Sequence, residues 1–182
     1  MINLEKGQRI SMDSSLTLVG VCLGWDPSET PGVDFDLDAS AFMLGANGKT
    51  PRDEFFVFYN NQVSPDNAVA SSGDDLTGRN GETLTVDLGK VDSSIQSIVF
   101  TATIHKAVER RQNFGQVRNS YIKIYDAVTN TDIARYDLDE DFSIETAVEF
   151  GRLYKRNGEW KFEAMGLGSR DGLQGLVNKY CY

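Results

Sequence analysis

A chain of 182 residues that is 40% hydrophobic and 25% charged reads as an ordinary globular domain, and its length fits one domain, residues 1–182, better than two. Its 27 acids against 18 bases leave a net charge of −9, which argues against nucleic acid and anionic membrane surfaces as partners, since both call for clustered Lys and Arg. The excess is local: residues 10–78 hold eleven Asp and Glu against Lys49 and Arg52 alone, a balance of −9, while residues 1–9 carry +1 and residues 79–182 carry −1.

The start, Met1 to Arg9, lacks an apolar run behind a basic end and does not read as a signal peptide. No stretch approaches the roughly 20 apolar residues of a membrane-spanning helix. Cys22 and Cys181 form no motif, and the cytoplasm is the expected location. Short runs rich in β-branched and aromatic residues then follow one another, broken by Gly, Asn, Asp or Pro. Strands are expected over Leu16–Leu23, Phe35–Leu44, Phe55–Tyr59, Thr83–Leu88, Ile95–Ile104, Tyr121–Tyr125, Ile133–Leu138, Val148–Lys155 and Trp160–Met165. Asn157-Gly158 suits the type I′ turn of a hairpin between the last two. A helix over Thr146–Lys155 is the rival, since Thr146 and Glu149 match a capping box, but Gly151 weakens it. Helix is expected only near Lys106–Gln112 and Leu173–Tyr180, too little for an α/β layer, so the fold class is all-β: an antiparallel two-sheet β-sandwich with one or two short helices.

Asp34-Phe35-Asp36-Leu37-Asp38-Ala39 opens like an EF-hand loop, but the sixth position is Ala39 where Gly is needed and the twelfth is Gly45 where a bidentate Glu belongs. As a strand the run alternates, with Phe35 and Leu37 toward the core and three carboxylates on the other face. Those carboxylates would span about 13 Å, too far for one calcium ion to take all three. Further oxygen-rich clusters supply candidate ligands: Asp26, Asn60, Asn61, Asp66 with Ser64 and Asn67, and Asp74-Asp75 followed by Glu82. With Asp34, Asp36 and Asp38 they offer only oxygen, which favours calcium over magnesium and makes zinc or copper a poor fit. The bland alternative is that acids alternating with apolar residues mark any half-exposed strand, and Asp and Asn any β-turn. The one-sided charge tilts the balance toward a cation site, because a solvated face normally mixes signs.

Gly24-Trp25-Asp26, Phe35-Asp36-Leu37-Asp38-Ala39-Ser40-Ala41-Phe42, Phe58-Tyr59-Asn60-Asn61 and Gly73-Asp74, in that order, resemble the TerD family of tellurite-resistance and stress proteins. Asn113-Phe114-Gly115-Gln116-Val117, Ala134-Arg135-Tyr136-Asp137-Leu138, Glu145-Thr146-Ala147 and Asn157-Gly158-Glu159-Trp160-Lys161-Phe162 extend the resemblance over nearly the whole chain. It implies a β-sandwich that binds calcium, two ions, through its acidic and Asn-containing loops. It implies no known catalytic reaction, and partners among other proteins of a tellurite-resistance system. The chain departs from the family's pattern at Leu76 to Gly81, a shorter and less acidic stretch that carries Arg79, and Asp75 stands where an Asn is common; the second calcium site is the less secure.

Two other functions stay open. A glycosidase-like hydrolase needs two carboxylates about 5 to 9.5 Å apart, which same-strand acids would provide, but one must sit in an apolar cleft with a raised pKa. A cyclic-nucleotide or other small-ligand binder needs an anion site, for which Arg110, Arg111 and Arg118 form the only basic concentration. His105, the single histidine, has no nucleophile motif near it and reads as structural or surface-lying. Gly166-Leu167-Gly168 is no dinucleotide fingerprint, and Trp25, Trp160 and the ten Phe read as core.

Overall fold

The computed structural model describes residues 1–29, 34–72, 81–138 and 142–182. In chain order the strands are β1 (Ile2–Leu4), β2 (Arg9–Ser11), β3 (Leu18–Gly24), β4 (Leu37–Leu44), β5 (Phe56–Val57), β6 (Val69–Ser71), β7 (Glu82–Asp87), β8 (Ser97–Ile104), β9 (Tyr121–Asp126), β10 (Thr131–Asp137), β11 (Ala147–Arg156) and β12 (Glu159–Ser169). The helices are α1 (Ala107–Arg110) and α2 (Gly172–Cys181), with a 3-10 turn over Asp53–Phe55. Two six-stranded sheets result, ordered β1-β10-β9-β3-β7-β6 and β2-β12-β11-β8-β4-β5. The all-β sandwich expected from the sequence is what forms.

Each inner face is built by the period of two. In β3 Val19, Val21 and Leu23 point inward, in β7 Leu84 and Val86, in β9 Ile122 and Ile124. The second sheet answers with Leu37, Ala39, Ala41 and Met43 of β4 and with Ile98, Phe100, Ala102 and Ile104 of β8, and nearly all of these are fully buried. The rival helix over 146–155 does not form: β11 pairs with both β8 and β12, and its register shifts between Glu149 and Gly151, where a side chain on Gly151 would strike the Phe162 ring. Asn157 (φ 53°) and Gly158 (φ 77°) both take the left-handed conformation that a type I′ turn requires. Three strands escape the sequence reading, β1, β2 and β6. Each is three residues long, too short to show a period, and β1 lies parallel against β10.

The central strands of the second sheet are buried on their outer face as well. Phe42 and Leu44 of β4, Val99 of β8 and Ala147 of β11 pack with Leu176 and Tyr180 of α2, and Leu173 and Val177 complete the contact. Buried Glu149 locks the helix down: it takes a hydrogen bond from the Tyr180 hydroxyl and one of 2.9 Å from Lys179 Nζ. Burial and this carboxylate push the Tyr180 pKa up. The Thr146 hydroxyl joins the helix start, accepting from Gly172 N at 3.1 Å, and Lys49 Nζ donates to the Lys179 carbonyl at 2.6 Å near its end. On the outer face of the first sheet Gly20 and Gly24 of β3 leave troughs that the Tyr125 and Tyr121 rings fill, and Arg135 stacks 3.7 Å from the Tyr121 ring centre.

Phe100 is central to the inner core. Phe100→Ala is expected to lower the unfolding free energy by about 3–5 kcal/mol, read from urea denaturation, with the slope against denaturant unchanged.

Candidate functional site

Strand register decides which acids can meet. Glu82 pairs with Leu23, and β3 ends one residue later at Gly24, so Asp26 follows at the same end of the sandwich as Glu82. In the other sheet Leu37 pairs with Ile104, which places Asp36 and Asp38 beside the end of β8. His105 N extends that pairing by donating to the Asp36 carbonyl at 2.7 Å. Asp26, Asp34, Asp36, Asp38 and Glu82 therefore gather at one end.

The two buried members do opposite things. Glu82 continues the inward row of Leu84 and Val86, so its carboxylate enters the gap between the sheets. There it accepts the Ala39 backbone N–H. That donor is available because β5 pairs with β4 only at Ala41 and Phe42, which leaves the β4 edge open beyond them. Asp38 lies on the outer face of β4, 8% exposed, with its Oδ2 3.9 Å from His105 Nδ1. The alternation read from the sequence holds here: Leu37 is in the core and Phe35 packs against it, while Asp34 and Asp36 are exposed. Gly81 leads into β7 at φ 73°, so close to the Leu23 carbonyl that a Cβ would overlap it; only glycine serves there.

The remaining candidates divide. Asp26 accepts a hydrogen bond from Asn119 Nδ2 at 2.6 Å, and its amide donates to the Arg118 carbonyl at 2.9 Å. Asp34 offers its carbonyl to Gln112 Nε2 at 3.1 Å. Asn61 spends its amide on the carbonyls of Glu54 and Phe56, at 3.0 and 2.8 Å, and with Phe58 closes a turn that contains exposed Asn60. Asp66 is elsewhere. One carboxylate oxygen takes the Ser64 hydroxyl at 2.6 Å and Ala68 N at 3.0 Å, and the other takes Asp92 N at 2.9 Å. Ala68 in turn accepts from Asp87 N, at the far end of β7 from Glu82. Five residue steps of strand put those ends about 17 Å apart, so Asp66 ties down a turn and does not reach the acidic end. Asp74 and Asp75 lie outside the described residues.

Among the described residues no group of three or more His, Cys, Asp or Glu side chains closes on a single point. The donors gathered are nevertheless all oxygen apart from His105, which is the chemistry a hard cation selects. His105 and Asn119 are neighbours that the sequence did not assign to the site. Neither carries a local signal, except that Asn119 occupies a left-handed position (φ 53°) that favours Asn. The arginines do not assemble an anion site: Arg110 and Arg111 are exposed at α1, and Arg118 pairs with Glu29 at 3.2 Å on the surface.

A two-sheet sandwich with acids drawn to one end defines a class of small β-protein with an acidic pole. Residues 1–180 match the TerD domain model, and the chain belongs to that family. It is 46% identical to the tellurium resistance protein TerD of Serratia marcescens over 185 residues, covering 98% of this chain and 96% of that protein. It is 45% identical to general stress protein 16U of Bacillus subtilis over 186 residues, with 98% and 96% coverage. A crystal structure of a telluride resistance protein homologue from Streptomyces coelicolor superposes with a TM-score of 0.70 at 21% identity, covering 92% of this chain and all of that one, and so shares its fold.

Glu82→Ala is expected to leave the Ala39 amide without its partner and to lower stability by about 1–3 kcal/mol in chelator-containing buffer. A denaturation midpoint equal to that of the parent chain would show that water replaces the carboxylate freely.

Proposed function

We propose that this protein is a calcium-binding, non-enzymatic interaction module of a bacterial tellurium-resistance and stress-response system, working in the cytoplasm with other proteins of that system. One observation carries the calcium reading. Asp38 and Glu82 are both buried, bracket the same residue of β4 and stand at the end where Asp26, Asp34 and Asp36 collect. Four of the five acids at that end, Asp26, Asp34, Asp36 and Asp38, come from the stretch 10–78, whose only bases are Lys49 and Arg52, and a bound cation would relieve their mutual repulsion. Asp36 and Asp38, with Asp26, Asp34, Glu82 and the carbonyls of the Asn60-Asn61 turn around them, would hold two ions between them, and Asp74 and Asp75 belong to the same proposal. A bound calcium supplies positive charge and six to eight coordination positions for oxygen. The chain supplies a β4 edge held in place by Glu82, a partly exposed imidazole beside Asp38, and loops whose mutual repulsion the ion relieves.

The role in resistance and stress response rests on the names borne by relatives that align over nearly their full length. No helix among the described residues is long and apolar enough to cross a membrane. The alternative of a paired-carboxylate hydrolase is less well supported, because Glu82 is committed to a backbone amide and Asp38 faces His105 on the opposite side of β4.

Millimolar calcium, against a chelator control, is expected to raise the melting temperature by about 5–10 °C at a hundredfold excess over Kd. Asp36→Asn and Asp38→Asn should remove the rise, whereas Asp66→Asn should lower the starting temperature and keep it. Calorimetry should count two ions. No rise in the parent chain, or a rise that survives the Asp36 and Asp38 changes, would defeat the assignment.

A further inference from the structure

The end of the sandwich farthest from the acidic loops holds a cavity of about 600 Å³. The loop between β2 and β3 crosses from one sheet to the other there, and the cavity opens between it, the end of β7 and the β11–β12 hairpin. Its apolar wall is Met12, Leu16, Leu88 and Trp160; its charged groups are Asp13, Asp87 and Glu159, with no base among the described lining residues. Leu16, Leu88 and Trp160 pack against the main core yet remain only partly buried, so they present apolar surface to the opening.

We propose that this cavity binds a small organic cation: an ammonium group carried on an aromatic or branched aliphatic body. Three features point to that class. The volume lies in the range of small-molecule pockets, which are mostly apolar with a few placed polar groups. An indole and carboxylates together attract a cation, through the ring face and through charge-assisted hydrogen bonds, while they repel an anion. And two of the carboxylates are held by their own loops before any ligand arrives. Asp13 Oδ1 accepts from Ser15 N at 2.8 Å and from the Ser15 hydroxyl at 2.6 Å, and Asp87 Oδ1 accepts from Gly89 N at 3.1 Å. The wall is likewise pinned, since Met12 N donates to the Trp160 carbonyl and Leu88 N to the Thr17 carbonyl, each at 2.9 Å.

Lysines stand outside the lining and set the scale of the selectivity. Lys90 Nζ is 3.8 Å from Asp87 Oδ2, Lys155 Nζ lies 5.0 Å from the Trp160 ring centre, and Lys161 Nζ donates to the Ser11 hydroxyl at 3.2 Å. They lower the long-range field of the pocket, so preference for a cation must come from direct contact with the three carboxylates. An exposed pair such as Lys90 and Asp87 exchanges readily for a ligand ammonium. Nothing in this site depends on calcium at the other end.

The test uses the full chain and three probes that share a phenylethyl body: phenethylammonium, 2-phenylethanol and 3-phenylpropanoate. Backbone amide shifts in heteronuclear NMR titrations are expected to localise to residues 12–17, 87–89 and 158–160. Phenethylammonium should bind at least about tenfold more tightly than the alcohol, and the carboxylate weakest. Asp87→Asn and Glu159→Gln change half-buried or exposed positions and should each weaken the ammonium roughly tenfold while leaving the calcium-induced melting shift as it was. Equal binding of all three probes would reduce the cavity to a non-selective apolar hollow and overturn the proposal. Tighter binding of the carboxylate, shifts elsewhere on the surface, or undiminished ammonium binding in both variants would overturn it as well.

Discussion

Strand β4 is buried on both faces and carries acids, and much of the architecture answers to that combination. Its inner row, Leu37 to Met43, belongs to the core between the sheets, and its outer row lies against α2 and the β5 aromatics. A strand so enclosed normally excludes charge. Here Asp38 is part of the outer row, and the open edge at Ala39 draws Glu82 across from the opposite sheet. The sheets are thereby tied at their acidic end by a carboxylate on a backbone amide, where apolar contact would ordinarily do the work. The same position that weakens β4 as a hydrophobic strand makes it the base of the cation site proposed above.

Much of this was legible in the residues, and what was not follows from register. Alternation along Asp34 to Asp38, the hairpin at Asn157-Gly158 and the terminal helix are local signals, and they survive folding. The end of the sandwich to which an oxygen-rich cluster is delivered is not local. Ser64-Pro65-Asp66-Asn67 looks the same in sequence as a ligand loop and as a turn, but β6 enters its pairing with Val69 opposite Val86, so the preceding turn falls at the far end. Asn61 was read by composition too, and its side chain proves to be half used in closing a turn on Glu54 and Phe56. β1, β2 and β6 were missed because three residues cannot display a period, and only a partner strand makes them strands.

Helix α2 introduces a second polar centre, unrelated to the acidic end. Glu149 is buried beneath it with both Lys179 and Tyr180 as donors, while Ser40 and Thr101, in the same cross-strand row, keep hydroxyls with no hydrogen-bond partner among the described residues. Unsatisfied buried hydroxyls are unfavourable, so the helix seat is held by its apolar contacts and by Glu149, against the local preference of the row it covers. The outer face of the first sheet is different: its outward residues Thr83, Thr85, Tyr121, Lys123 and Tyr125 are half-buried and open toward solvent.

That open face carries a constraint of another kind. The Tyr125 and Tyr121 rings lie where side chains at positions 20 and 24 would be, each glycine paired with one ring across β3 and β9. Position 20 is thus coupled to 125 and position 24 to 121. An added methyl on β3 is compatible with this backbone only if the facing ring moves or is replaced by something smaller, so in this chain the space at positions 20 and 24 is set by the side chains at 125 and 121.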